Sequence, residues 1–209
     1  MKIKLNIINA LPIMLPERMI LTRLGYNHHL TGLTPRQKDK IMQDMHEAFA
    51  LCRPRGVWAR MAITDNDGET LRLQDGTEFR SRALCSLMSA SANIWIAATT
   101  VGHELLDAIA AVLAQSDGKA ALIYDAVGGE VADAAMDYLQ KYVNKNLSRS
   151  GEKLSAKRFS PGYSDLNLEA QRDIFRILEL EKFGLELNER MLILPEKSVT
   201  ALAGIEINI

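Results

Sequence analysis

The stretch Leu122-Ile-Tyr-Asp-Ala-Val-Gly-Gly-Glu130 admits two folds. In one, Leu122, Ile123 and Tyr124 form a strand, Gly128-Gly129 a phosphate-facing turn and Val131 onward a helix. That is the opening of a Rossmann-type methyltransferase or dehydrogenase, and it requires a parallel sheet ending beneath the glycines. In the other, a long and mostly helical stretch runs from residue 119 to about 147. The glycines are then small residues where the helix packs closely on a neighbour. A full G-x-G-x-x-G is missing and no repeating βα rhythm surrounds the stretch, which favours the helix. Val131, Ala135, Tyr138 and Tyr142 form its apolar stripe.

Working outward, residues 93–100 read as a buried strand. Gly102 opens a helix with Leu105, Leu106, Ile109, Val112 and Leu113 on one side, and Asp117-Gly118 ends it. Further upstream, Ile3, Leu5 and Ile7 alternate with polar residues as in a strand. Residues 16–24 suggest a short helix stopped at Gly25. Thr34, Pro35 and Gln37 spell a capping box before a helix carrying Ile41, Met45, Ala48, Phe49 and Cys52, which Pro54 prevents from continuing. Residues 57–64 look extended, and Asp65-Asn66-Asp67-Gly68 turns them into a hairpin with residues 70–74. Residues 80–90 read as helix. Downstream, residues 148–164 are polar and irregular, 168–180 form an amphipathic helix closed by Gly184, and 191–194 and 199–207 are strands around Pro195-Glu196.

Composition narrows the function classes. The 209 residues are 47% hydrophobic and 24% charged, near a soluble globular average. Twenty-five Lys+Arg against 26 Asp+Glu give a net charge of −1, so there is no basic field for nucleic acid and no polybasic block for a membrane surface. The apolar run 93–101 is about half a membrane span. Lys4, Asn6 and Asn9 interrupt the N-terminal apolar run, so it does not read as a signal peptide. Two cysteines without a C-x-x-C make a reduced, cytoplasmic setting the default. No repeat or linker divides residues 1–209, and strands at the start, middle and end with helices between point to a single α+β domain.

Few constellations carry chemistry. His28-His29 has no second ligand pair at metal spacing. Asp44-x-His46 partly matches a cobalt-ligating pattern, but Phe49 replaces its glycine inside a well-capped helix. His103-Glu104 lacks the second histidine of a zinc protease helix. No metal site or catalytic residue is assigned. Asp133 and Asp137, four apart, share a helix face and suit a cationic or amino group, although such rows are usually solvated. Arg158-Phe-Ser-Pro-Gly-Tyr163 carries more information. Pro161 fixes one backbone angle and Gly162 permits positive φ, giving a rigid turn that presents Arg158, main chain near Ser160 and the Tyr163 ring to one space. Arg forks onto carboxylates and Tyr stacks on bases or cations, a set suited to a zwitterionic or sulfonium ligand. An ordinary turn with an incidental arginine fits the residues equally well.

This motif, the polar link and the 168–180 helix resemble the S-adenosylmethionine-binding reactivation domain of cobalamin-dependent methionine synthase. The likeness continues through Gly184, Leu187-Asn-Glu189 and Met191-Leu-Ile-Leu-Pro-Glu-Lys-Ser-Val199. Ala98-Thr-Thr-Val-Gly102, residues 122–139 and Leu24-Gly25-Tyr26 resemble stand-alone members of that family. Residues 91–209 carry it most clearly, and 1–90 diverge. It implies a mostly antiparallel, twisted central sheet flanked by helices. It also implies a reactivation subunit, not a complete enzyme alone, that presents S-adenosylmethionine for reductive methylation of inactive cob(II)alamin. The cobalamin is held by a partner methionine synthase or other corrinoid protein, and flavodoxin or another reductant supplies the electron. By the same resemblance, Arg158 grips the ligand carboxylate, Ser160 offers backbone contacts, Tyr163 lines the pocket on the Pro161-Gly162 bend, and Asp133 or Glu152 receives the amino group. The family's N-terminal Asp-Trp-Thr-Pro segment and its later tyrosine-containing strand have no counterpart here, which puts two walls of the site in question. The alternative is a docking or lid protein for a corrinoid methyltransferase that does not itself use S-adenosylmethionine.

Overall fold

Residues 93–100 are apolar on both sides because both sides are buried. In the computed structural model, which describes residues 3–26 and 32–207, this strand lies in the middle of a seven-stranded sheet. The His28-His29 pair falls outside the described residues. In chain order the elements are β1 (Asn6–Ile8), α1 (Glu17–Arg23), α2 (Pro35–Leu51), β2 (Arg55–Asn66), β3 (Thr70–Leu73), β4 (Glu78–Arg80), α3 (Arg82–Leu87) and β5 (Asn93–Thr100). There follow α4 (Glu104–Ala114), α5 (Gly118–Leu147), β6 (Glu152–Leu154), α6 (Gln171–Leu178), β7 (Glu186–Leu187), β8 (Ile193–Leu194) and β9 (Ser198–Ile207).

The sheet runs β4-β3-β2-β5-β9-β6 with β1 beside the start of β2, and every pairing is antiparallel. Because side chains alternate along a strand, β5 feeds two cores. Trp95 and Ala97 meet Met136, Leu139 and Val143 of α5. Ile94, Ile96 and Ala98 meet α3 and α6 through Leu84, Met88, Ile174 and Ile177. A third cluster packs α1, α2 and α4 on the first half of α5. The fold is α+β, a mostly antiparallel sheet flanked by helices.

The long helix prevails at Leu122–Glu130. Asp117 caps α5 by accepting from the Ala120 amide at 3.0 Å, and the helix runs through both glycines. A Cβ on Gly128 would stand 2.7 Å from Leu105 Cδ2 and 3.0 Å from Lys197 Cγ. Close packing therefore outweighs the cost of about 1 kcal/mol for a helical glycine. With this helix and an antiparallel sheet, the Rossmann reading falls. The Thr34 capping box forms as the sequence predicts, with Gln37 reciprocating at 2.8 Å.

The chain departs from the sequence reading in several places, beginning at the N-terminus, where strand structure is confined to β1 and Ile7 is exposed. Residues 78–80 pair with β3 as a third hairpin strand before α3 begins, across an Asp75-Gly76 turn with Gly76 at φ 86° that the sequence reading passed over. The polar stretch 148–164 contains β6, ordered by pairing with β9. The helix read as 168–180 is a 3₁₀ turn at Leu168–Ala170 followed by α6, and Glu179, with φ 50°, ends it before Gly184 is reached. Strand structure at 191–194 is confined to β8, which pairs with β7.

Candidate functional site

After β6 the chain keeps to the edge of β9. Ser155 N donates to the Gly204 carbonyl at 2.8 Å, and Phe159 and Leu202 exchange backbone bonds at 2.8 and 2.7 Å. This seats Arg158 and Ser160 on the sheet, and Ser160 Oγ donates to the Thr200 carbonyl at 2.8 Å. The chain then reverses at Ser160-Pro161-Gly162-Tyr163. Tyr163 N donates to the Ser160 carbonyl at 3.2 Å and Gly162 has φ 88°, a type II turn with proline and glycine where that turn favours them. Gly162 N also donates to Leu166 O at 2.8 Å, so the bend is tied from within.

A cavity of about 660 Å³ opens beside this turn, within the size range of small-ligand sites. Its walls are Lys157–Ser160, Tyr163 and Ser164 from the motif, Val199 and Ala201 from β9, Ala83, Ser86 and Leu87 from α3, and Asp133 from α5. Four of the residues singled out in the sequence, Arg158, Ser160, Tyr163 and Asp133, thus come together, with Pro161 and Gly162 shaping the bend. The Tyr163 ring is largely exposed at the rim. Glu152 is not brought to the cavity. Its two oxygens take both Arg60 amines at 2.7 and 2.8 Å, which holds its carboxyl below the usual range.

The carboxylates of α5 form a graded row. Glu130 is buried and accepts from Arg23 Nε of α1 at 2.5 Å, and Arg23 Nη2 lies 3.8 Å from Asp133. Asp137 Oδ1 lies 2.7 Å from Arg158 Nη1, which also donates to Gln140 Oε1 at 2.7 Å. Desolvation raises the Asp133 carboxyl, the Glu130 charge one turn away adds to the rise, and Arg23 opposes it. Sequence spacing marked Asp137 but not its pairing with Arg158. Nothing local marked Arg23, which is 107 residues from Glu130.

Asp165 is a further residue that sequence reading missed. It accepts from the Ser81 hydroxyl and from the amide of Arg82 at 2.7 Å, joining the motif loop to the start of α3 and hence two cavity walls to each other. The Ser81 bond is the main reason its carboxyl lies below the usual range. A depressed folded value means that the stabilisation is complete above the unfolded value, about 3.9, and is lost as pH falls through the lower folded one. Asp165→Ala should therefore melt below wild type at pH 7, and the gap should narrow as the pH is taken below the unfolded value. Thermal melts across that range check it, and a constant gap would refute it.

Among the described residues, no group of three or more His, Cys, Asp or Glu is arranged to hold a metal ion, and no helix is long and apolar enough to cross a membrane. No protein-family model matches the sequence, and no curated protein matches it. Among solved structures, the crystal structure of the MetH reactivation domain bound to AdoHcy has a TM-score of 0.70, covering 97% of this chain and 78% of that one at 18% identity. At that identity the likeness establishes a shared fold.

Proposed function

We propose that the cavity binds an S-adenosyl ligand, S-adenosylmethionine in the first place, and that the protein presents it to a cobalamin carried by a partner. The observation that carries this reading is the meeting of Arg158, Tyr163 and Asp133 in the walls of one cavity of about 660 Å³. The shared fold with an AdoHcy-bound domain supports it.

Each residue has a task in this reading. Arg158 takes the ligand carboxylate, Asp133 takes the ammonium, and the exposed Tyr163 ring covers the adenosyl group. When bound, S-adenosylmethionine offers a sulfonium methyl group to a one-electron-reduced cobalt on the partner, with flavodoxin or a similar reductant as donor. The contribution of this chain is orientation: it holds the sulfonium in one place at the cavity mouth.

Isothermal titration with S-adenosylmethionine, with and without a cobalamin protein, tests the proposal. Heat is expected in at least the second mixture, and its absence from both would defeat the reading. Affinity should also fall as pH drops, because a protonated Asp133 cannot pair with the ammonium. With the Asp133 carboxyl raised, the fall should begin at a higher pH than for an ordinary aspartate, and an affinity that stays flat through the carboxylate range would remove Asp133 from this role.

One observation favours the rival, a docking lid that does not use the ligand: Arg158 already has protein partners in Asp137 and Gln140. Under that reading, Arg158→Ala leaves reactivation and partner docking unchanged. Loss of methylcobalamin formation with docking intact favours the first.

A further inference from the structure

We propose that Asp137 and Gln140 are positioning residues that turn the Nε–Nη2 edge of Arg158 toward the ligand carboxylate; this rests on the adenosyl-ligand reading of the cavity. Both contacts fall on one nitrogen. Nη1 donates to Gln140 Oε1 at 2.7 Å and lies 2.7 Å from Asp137 Oδ1, whereas Nε and Nη2 make no hydrogen bond to the protein among the described residues. Nε and Nη2 share one edge of the planar guanidinium, and their two N–H groups form a fork that matches a carboxylate. With Nη1 engaged, the end-on fork through Nη1 and Nη2 is blocked and the side-on fork is open.

Gln140 is itself oriented. Its Nε2 donates to the Ser155 carbonyl at 3.2 Å, which fixes the amide so that Oε1 faces Arg158. Ser155 is held in turn, since its Oγ accepts from Gly204 N at 3.0 Å and donates to the Lys157 carbonyl at 3.0 Å. A chain of bonds therefore runs from β9 through Ser155 and Gln140 to the guanidinium. Asp137, one turn earlier on α5, supplies the charge that holds the same nitrogen.

A side chain that merely competes with the ligand would act in the opposite direction, which makes the assignment testable. The purified protein is titrated with S-adenosylmethionine and with its decarboxylated analogue, which keeps the sulfonium and ammonium. Asp137→Ala and Gln140→Ala should each weaken S-adenosylmethionine about tenfold, the loss of roughly one charge-assisted hydrogen bond, and leave the analogue within about twofold. Asp137→Asn, which keeps an acceptor oxygen, should recover part of the loss. Equal losses for both ligands, no loss, or tighter binding of S-adenosylmethionine would each overturn the positioning role. Those outcomes leave the adenosyl reading standing, whereas a wild-type protein that binds neither ligand, alone or with a cobalamin protein, overturns both.

Discussion

If the cavity binds the proposed ligand, Arg158→Ala is expected to lower the affinity for S-adenosylmethionine by roughly 30- to 150-fold and to leave the fold intact. A charge-assisted fork onto a carboxylate contributes about 2–3 kcal/mol, and each factor of ten in affinity is about 1.4 kcal/mol. The structural cost is much smaller. Asp137 is half-exposed and returns to water, and Gln140 keeps its bond to Ser155, so the lost ion pair costs about 1 kcal/mol or less. Arg158→Lys keeps the charge but loses the planar fork and should fall between the two proteins. The neighbouring Asp137 charge weakens the attraction for a carboxylate by about 1 kcal/mol at most through water. Holding an arginine that carries about 2 kcal/mol of rotamer entropy in place outweighs that. Titration of both variants beside circular dichroism decides the matter. Unchanged affinity in Arg158→Ala would remove Arg158 from the ligand contact, and a lost helical signal would show that the residue is structural.

The turn at Ser160–Tyr163 was legible because its information is local: proline and glycine dictate backbone angles that any surroundings must accept. The same holds for the Thr34 capping box and for the helical course of α5 through two glycines, although its buried face carries Met136, Leu139 and Val143 and leaves Tyr142 of the expected stripe exposed. β6 was not legible, since it consists of three residues ordered by β9, a strand distant in sequence, whereas β4 is an equally short strand joined to β3 by the local Asp75-Gly76 turn, a signal the reading passed over. Glu152 shows the limit most clearly. Its place just before the motif suggested a ligand contact, yet pairing of β6 with β9 sets it beside Arg60, 92 residues away, with both oxygens occupied. Asp133 and Asp137 looked alike by spacing, and the tertiary structure divides them. One faces the cavity and the other holds the arginine. Arg23 and Asp165 brace the cavity without lining it, Arg23 through Glu130 and Asp133 and Asp165 through the start of α3, and both act over contacts that local sequence does not mark. Recognition of a fold can therefore identify the cavity, while the charges that tune it depend on long-range contacts.

Gly204→Val tests whether the sheet beneath the cavity has any slack. Valine suits a strand, and on propensity alone it would stabilise β9 by up to about 1 kcal/mol. Here a Cβ would collide with Ser91 Oγ and stand 3.1 Å from Ser91 Cβ and 3.3 Å from Met88 Sδ. Rotation of the serine hydroxyl relieves only the first of these, and that hydroxyl is already buried without a partner. The second and third belong to the link between α3 and β5, whose ends are fixed by the pairing of Ile94 with Gly204 and by Leu84 in the core. Gly128 is less constrained, because its nearest neighbour is the movable end of Leu105. We therefore expect Gly204→Val to destabilise the protein by about 2–3 kcal/mol and to lower the melting temperature by roughly 5–10 °C for a chain of this length. The strain should also reach the cavity, since α3 supplies Ala83, Ser86 and Leu87 to one wall and Gly204 N anchors Ser155 behind Gln140. A variant that melts within 2 °C of wild type would show that the α3–β5 link yields freely, and a cavity wall resting on it could not be rigid enough to orient a sulfonium.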